Sequence, residues 1–194
     1  MAALTAPPWA QPCAGFRSRK AAQICAYFAN RSGGVIEKLK LIKLIYLAER
    51  QFLSAHHHPM LFDEFYSLPH GPVCSATLNG IDGVIHESLW DEYIARNGNI
   101  VVAVNSVERE DLDHVSDAEM EVLDDVWQEF SGMTASQIRN YTHENCPEYT
   151  ETDKARIPIS YRQIFDALGE EDALEIATGI SELVKLEGIL EDND

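Results

Sequence analysis

The sequence predicts a mainly α, α+β fold: a compact helical domain around one central buried helix, with one small β-hairpin. Three observations predict it. Residues 35–55, VIEKLKLIKLIYLAERQFLSA, are apolar round most of a helical circumference, the mark of a helix enclosed on nearly every side. Apolar residues also recur at helical spacing from Ser18 and again from Ser116 onward. Only WDEYIARNGNIVVAVNS carries a clear sheet signal, because Asn97-Gly98 suits the two positive-φ positions of a type I′ turn between β-branched runs.

The elements follow in order. In SRKAAQICAYFANRSGG, Ala21, Ile24, Cys25 and Phe28 share one helical face, Ser18 can cap the start, and Gly33-Gly34 ends the helix. The central helix follows at once. Lys40, Lys43 and Arg50 interrupt its apolar surface along one narrow stripe, either as lysines snorkelling over a core edge or as a partner-facing strip. After Pro59 comes FYSLPHGPVCS, in which Pro69 and Pro72 bracket His70 and Gly71. Prolines there exclude a helix interior or a central strand, so the stretch reads as a rigid corner. SATLNGIDGVIHESL is a short helix interrupted by Gly80 and Gly83, and the Asn97-Gly98 hairpin follows. SDAEMEVLDDVWQEFSGM opens with a capping box from Ser116 to Glu119 and should bury Met120, Leu123, Trp127 and Phe130. Thr134 caps TASQIRNYTHE, NCPEYTETDKARIPIS reads as a polar loop, and Ser160 starts YRQIFDALG, closed by Gly169. A last helix covers residues 170–190. The expected division is a flexible N-terminal lead over 1–17, a helical domain over 18–168, and an acidic C-terminal helix within 169–194 that packs on the domain or extends it.

Composition narrows the function. Hydrophobic residues make up 45% of the 194-residue chain and charged residues 24%, enough apolar material for a sizeable core. No apolar run is long enough to span a bilayer, and MAALTAPPWAQPCAGF lacks the basic start and apolar core of a secretory signal; a cytoplasmic protein is expected. Net charge is −17, unevenly placed: residues 1–50 hold eight Lys/Arg against Glu37 and Glu49, and residues 51–194 hold seven against thirty Asp/Glu. Such a body repels phosphate backbones and attracts a basic protein partner. The remaining nucleic-acid reading is a transcription-linked module contacting DNA through Arg17, Arg19, Lys20 and Arg31 of the basic quarter.

Catalytic signatures are missing. There is no GxSxG, GxxxxGK[ST] or HExxH, and His143-Glu144 is not followed by a second histidine at zinc-ligand spacing. Cys13, Cys25, Cys74 and Cys146 form no CxxC pair and are expected as reduced thiols. Neighbours His56, His57 and His58 point in different directions from a helix end, so they cannot share a metal. Cys74 with His70, or Cys146 with His143, supply the residue types of a thiol hydrolase without its signature. No catalytic residue, cofactor or metal is expected.

Three segments are more specific than composition requires: KLKLIKLIYLAERQFL, SLPHGPVCSATLNGI and IRNYTHENCPEY. In this order they resemble the SocA-like, or Panacea, antitoxin family of bacterial and phage proteins. The matching residues are Leu41, Lys43, Leu44, Tyr46, Leu47 and Ala48, then His70-Gly71-Pro72-Val73, then Thr142-His143-Glu144 with Pro147, and the resemblance spans roughly residues 20–168. The aromatic that closes the motif is here Tyr149, two residues beyond Pro147 rather than directly after it. The resemblance implies a protein that is not an enzyme: the antitoxin of a type II toxin–antitoxin pair, neutralising a cognate toxin encoded beside it by direct binding, with delivery of that toxin to a protease as a mechanistic variant. Self-association stays open. Tyr46, Pro69, Gly71, Pro72, Val73, Thr142, His143 and Pro147 are then expected to hold the scaffold, and Lys40, Lys43, Arg50 and His70 to meet the partner.

Overall fold

The computed structural model describes residues 13–85 and 87–191; the first twelve residues of the expected lead, and residues 192–194, lie outside the described residues. Helix α1 (Ser18–Arg31) leads into a short strand β1 (Val35–Glu37) and the long helix α2 (Lys38–His56). Ser18 is the first residue of α1 rather than its cap; Arg17 holds the capping position without a side-chain bond. The expected helix start at Val35 is also corrected: Val35, Ile36 and Glu37 pair antiparallel with the hairpin, opposite Val102, Val101 and Ile100. Lys38 N then donates to Asn99 O, so the helix begins only once the chain has left that strand. α2 is central as expected, with Leu41, Leu44, Ile45, Tyr46, Ala48 and Leu53 among its buried residues. At its end His56, His57 and His58 are exposed, and His57 closes the helix in the left-handed region.

Next comes a sheet the sequence did not announce. Strand β2 (Phe65–Leu68) turns at Pro69-His70 into β3 (Gly71–Cys74), and the distant β6 (Ile157–Ile159), expected as loop, pairs on the other side of β2. The order is β3-β2-β6, so Pro72 and Pro158 both sit on edge strands and the central strand has no proline. That is where a residue without an N–H donor belongs. The rigid corner is thus the tip of a hairpin.

Helix α3 (Ser75–Ile81) follows directly, then a single turn α4 (Glu87–Trp90). Gly80 lets these two elements meet: a Cβ there would lie 2.1 Å from the fully buried Trp90 ring. The expected hairpin is present as β4 (Ile94–Asn97) and β5 (Ile100–Ala103), in a sheet of order β1-β5-β4, but its turn is corrected. Asn97 pairs with Ile100, so Gly98-Asn99 form the loop, and only Gly98 takes a positive φ, +61°, where a type I′ turn needs two. Helices α5 (Asp117–Phe130), α6 (Ala135–Asn145) and α7 (Tyr161–Leu168) each begin with a full capping box, from Ser116, Thr134 and Ser160, and Gly169 ends α7 at φ +83°. On α5, Leu123 and Phe130 are buried as expected together with Val122 and Val126, while Met120 and Trp127 sit half-buried at its flank. α8 (Ala173–Glu191) packs mainly on α7. The core is formed by α2 against α1, α5, α6 and β3.

Candidate functional site

Lys43, Tyr46 and Arg50 stand at i, i+3 and i+7 on α2 and therefore share one face. The β2–β3 hairpin crosses that face at one level and the end of α6 at the next, so the three distinctive segments of the sequence converge. Lys43 is 0% exposed, and its Nζ donates to Pro72 O at 2.7 Å. Gly71 is required here twice over: its φ is +96°, and a Cβ would come within 2.9 Å of Lys43 Nζ and 3.0 Å of His143 Nε2. The His143 ring stacks on Tyr149 at 4.4 Å between centroids. Tyr149 Oη donates to Leu68 O at 3.2 Å, and Thr150 N donates to the buried Ser67 Oγ at 3.0 Å. The chain after α6 is thereby stitched to the hairpin. The residue that separates Pro147 from the displaced aromatic Tyr149 is Glu148, and it turns inward.

Glu148 is the residue the sequence reading missed. Its side chain is 0% exposed; Oε1 accepts from Tyr46 Oη at 2.6 Å and from Arg50 Nε at 2.7 Å, and Oε2 accepts a longer contact from Arg50 Nη2 at 3.4 Å. The usable signal was the α2 spacing itself, since Tyr46 and Arg50 one turn apart ask for a common acceptor. Two further buried carboxylates lie close by. Glu49 accepts from Met60 N at 2.9 Å and Leu61 N at 3.1 Å. Asp63 accepts from Ala76 N, Thr77 N and Thr77 Oγ1, and so fastens the first turn of α3 from outside the helix.

Burial dominates the electrostatics. It lowers Lys43 to about 7, with Cys146 and Cys74 acting in the opposite direction and Arg139 adding to the fall. It raises Cys74 well above the usual thiol range and Cys146 to about 12, so both thiols stay protonated. His143 is lowered, first by burial and then by Arg139 and Lys43. Glu49 is raised to about 8 and Asp63 to about 6, again mainly by burial. Both thiols therefore lack the thiolate a nucleophile needs, Cys74 lies opposite Phe65 at the far end of the hairpin from His70, and the Lys43 amine lies under the hairpin. What this arrangement does chemically is fasten the hairpin and the end of α6 onto α2.

The expected partner-facing stripe does not lie open. Lys43 is enclosed, Arg50 is spent on Glu148, and Lys40 is half-buried, donating to Ser131 O at 2.7 Å with its Nζ 5.8 Å from the Trp127 ring centre. Of that set only His70 is fully exposed, at the hairpin tip beside the exposed Pro69. Among the scaffold residues, Tyr46, Val73 and Thr142 are buried, Thr142 Oγ1 donating to Arg139 O within its own helix, and Pro147 is exposed. Each of the four cations of the DNA reading is paired: Arg17 with Glu187, Arg19 with Glu92, Lys20 with Glu119, and Arg31 with Asp124. Among the described residues no cluster of His, Cys, Asp and Glu could hold a metal ion, and no helix is long and apolar enough to cross a membrane.

Fold and site define an α+β domain of eight described helices and two small antiparallel sheets, its hairpin and sixth helix locked to a central helix through buried polar groups. The family model for the SocA-like antitoxin, Panacea domain, matches residues 41–148, from the first turn of α2 to Glu148. The chain belongs to that family. No curated protein and no solved structure matches it significantly.

Proposed function

We propose that the protein is the antitoxin of a toxin–antitoxin pair and neutralises a protein toxin, encoded beside it, by stoichiometric binding in the cytoplasm. The observation that carries this reading is membership of the antitoxin family over residues 41–148. The chemistry around the motif agrees with it: Lys43, Tyr46, Gly71 and Pro72 form a structural lock, and the neighbouring thiols of Cys74 and Cys146 are protonated, so the motif serves a scaffold rather than a reaction. The protein is accordingly not an enzyme, and its partner is a protein. The surplus of acidic residues favours a basic toxin, whose encounter it would accelerate. The pairing of all four α1-side cations weighs against direct contact with DNA.

The test is co-expression with the product of the neighbouring gene. Growth arrest by the neighbour alone, with rescue and a co-purifying complex when both are made, is the expected result. A harmless, non-binding neighbour would defeat the reading. Following the level of the neighbour's product separates the two mechanisms: a stable toxin in the complex marks steric blocking, and its accelerated loss marks delivery to a protease. Growth rescue by Cys74→Ala and Cys146→Ala variants that fold normally is also expected, and its failure would revive the hydrolase reading.

A further inference from the structure

Helix α8 carries more exposed large hydrophobic side chains than any other described element. Seven large hydrophobic side chains are exposed among the described residues, and four of them, Leu174, Leu183, Leu186 and Ile189, lie on α8. The helix already uses one side for packing, where Ala173, Ala177 and Ile180 are buried. A different side carries Ile176, Gly179, Leu183 and Leu186 at i, i+3, i+7 and i+10, a second apolar stripe. A groove runs from Leu183 past Ile180, Gly179 and Ile176 to His57, and the exposed Leu186 extends the stripe beyond it. A helix with two apolar faces and one of them uncovered is short of a partner.

Gly179 is an independent sign. Glycine inside a helix is destabilising relative to alanine. Here its φ is not positive, and a Cβ added to it would meet nothing within 4 Å, so the fold itself gives no reason for it. A missing side chain in the middle of an exposed apolar stripe lets another backbone approach closely.

The rim says what approaches. Glu170, Glu171, Asp172 and Glu175 border the groove at the start of α8. Glu170 lies 3.3 Å from His57, while Glu171, Asp172 and Glu175 form no ion pair among the described residues. Carboxylates in a first helical turn do suit the helix dipole, but that accounts for neither the stripe nor the glycine. A second copy of the chain is disfavoured as the occupant, because it would bring another acidic rim and a further net charge of −17 to the same place. α8 also lies wholly outside the family-matched residues 41–148, where a surface particular to one partner is free to differ.

We propose that this face of α8 is the toxin-docking surface, and that it takes an amphipathic helix with an apolar ridge flanked by Lys and Arg. The proposal rests on the antitoxin reading for the identity of the partner. The surface itself can be tested without it. The full chain is titrated with a Leu/Lys amphipathic peptide of about 18 residues, long enough to span the stripe at 1.5 Å per residue, and with its Leu/Glu counterpart. Three double variants are compared: Leu183→Ser with Leu186→Ser, Glu171→Lys with Glu175→Lys, and, as a control, Glu121→Lys with Asp125→Lys on the exposed face of α5.

Binding of the Leu/Lys peptide alone, weakened at least about tenfold by each α8 pair and unchanged by the α5 pair, is expected of a hot-spot surface. These substitutions are at exposed positions, and an unchanged thermal midpoint verifies the fold. Equal loss from the α5 reversal, or no loss from the α8 pairs, would overturn the proposal. So would a homodimer in sedimentation that the serine pair dissolves. With the neighbouring gene's product, loss of complex in the α8 variants supports docking there. Retention of complex in those variants overturns the docking surface and leaves the antitoxin reading standing. If the wild-type chain fails to bind that product, the antitoxin reading falls and the peptide comparison alone decides the surface.

Discussion

Replacing Glu148 with alanine should be the most damaging single change at the lock, although the residue lies far from the centre of either sheet. The carboxylate is 0% exposed and is the common acceptor for Tyr46 and Arg50. Removing it leaves a buried tyrosine hydroxyl without its acceptor, at about 1–3 kcal/mol. It also leaves the Arg50 guanidinium, whose side chain is only 18% exposed, without its counter-charge. Breaking a buried pair by deleting one partner costs about 3–5 kcal/mol. The partial exposure of Arg50 and the long 3.4 Å second contact pull the total towards the lower end, so we expect about 3–4 kcal/mol in all. Urea denaturation followed by circular dichroism measures it, with the slope checked for constancy so that the midpoint reports stability. A loss below about 1 kcal/mol would refute the reasoning, since exposed ion pairs contribute only about that much.

Three further outcomes follow from the same geometry. Gly71→Ala should lose about 2 kcal/mol, because it combines a positive-φ penalty with crowding of Lys43 and His143; an unchanged melting temperature would count against both causes. For Lys43, the folded value of about 7 lies below the ordinary 10.5, so between them the unfolded chain holds a proton the native state has released. Its contribution to stability therefore rises with pH from about 7 upward, by up to about 1.4 kcal/mol per pH unit. Glu49, raised from 4.5 to about 8, runs the other way and weakens the fold as pH climbs through that window. The Lys43 effect is accordingly read as the difference between wild type and Lys43→Met, and a difference that stays flat with pH would exclude it. Finally, Cys25, Cys74 and Cys146 are buried and should react with a thiol reagent only at the rate of unfolding, with the half-buried Cys13 modified first; rapid labelling of all four in the native protein would contradict that burial.

What could be read from the sequence was local. The capping residues Ser116, Thr134 and Ser160, the terminating Gly169 and the Gly98 of the β4–β5 turn each act within a few residues of themselves, so their signals survive in one dimension. The β3-β2-β6 sheet did not, because two of its three short strands carry a proline and β6 joins a partner from much earlier in the chain. β1 was hidden for a different reason: Val-Ile-Glu ahead of an apolar helix extends its pattern without a break. At the lock, Lys43 read as a solvent-reaching cation because nothing near it in sequence covers it; the cover is the Gly71-Pro72 backbone. Glu148 is one of thirty acidic residues after residue 50, with nothing local to set it apart. Its burial depends on Tyr46 and Arg50, contacts across most of the domain that no local pattern encodes.

Lys43, Tyr46, Glu49 and Arg50 place four ionisable groups on one face or edge of a helix whose surroundings are otherwise apolar, and an apolar alternative would avoid their desolvation. Their physical value lies in discrimination. Leucine accepts many neighbours, but a buried guanidinium accepts few, so the pairing allows one register of α6 and the hairpin on α2. On this argument, converting the linked Tyr46, Arg50 and Glu148 at once, with Tyr46→Phe, Arg50→Met and Glu148→Leu, should cost far less than Glu148→Ala alone, because none of their polar atoms is left stranded. The triple variant should nevertheless lose sharpness: its denaturation slope should fall and its amide protons on α6 and β3 should exchange faster as alternative packings become populated. Stability in the triple variant as low as in Glu148→Ala would show that the lock contributes net energy. Unchanged slope and exchange would show that apolar packing alone fixes the register.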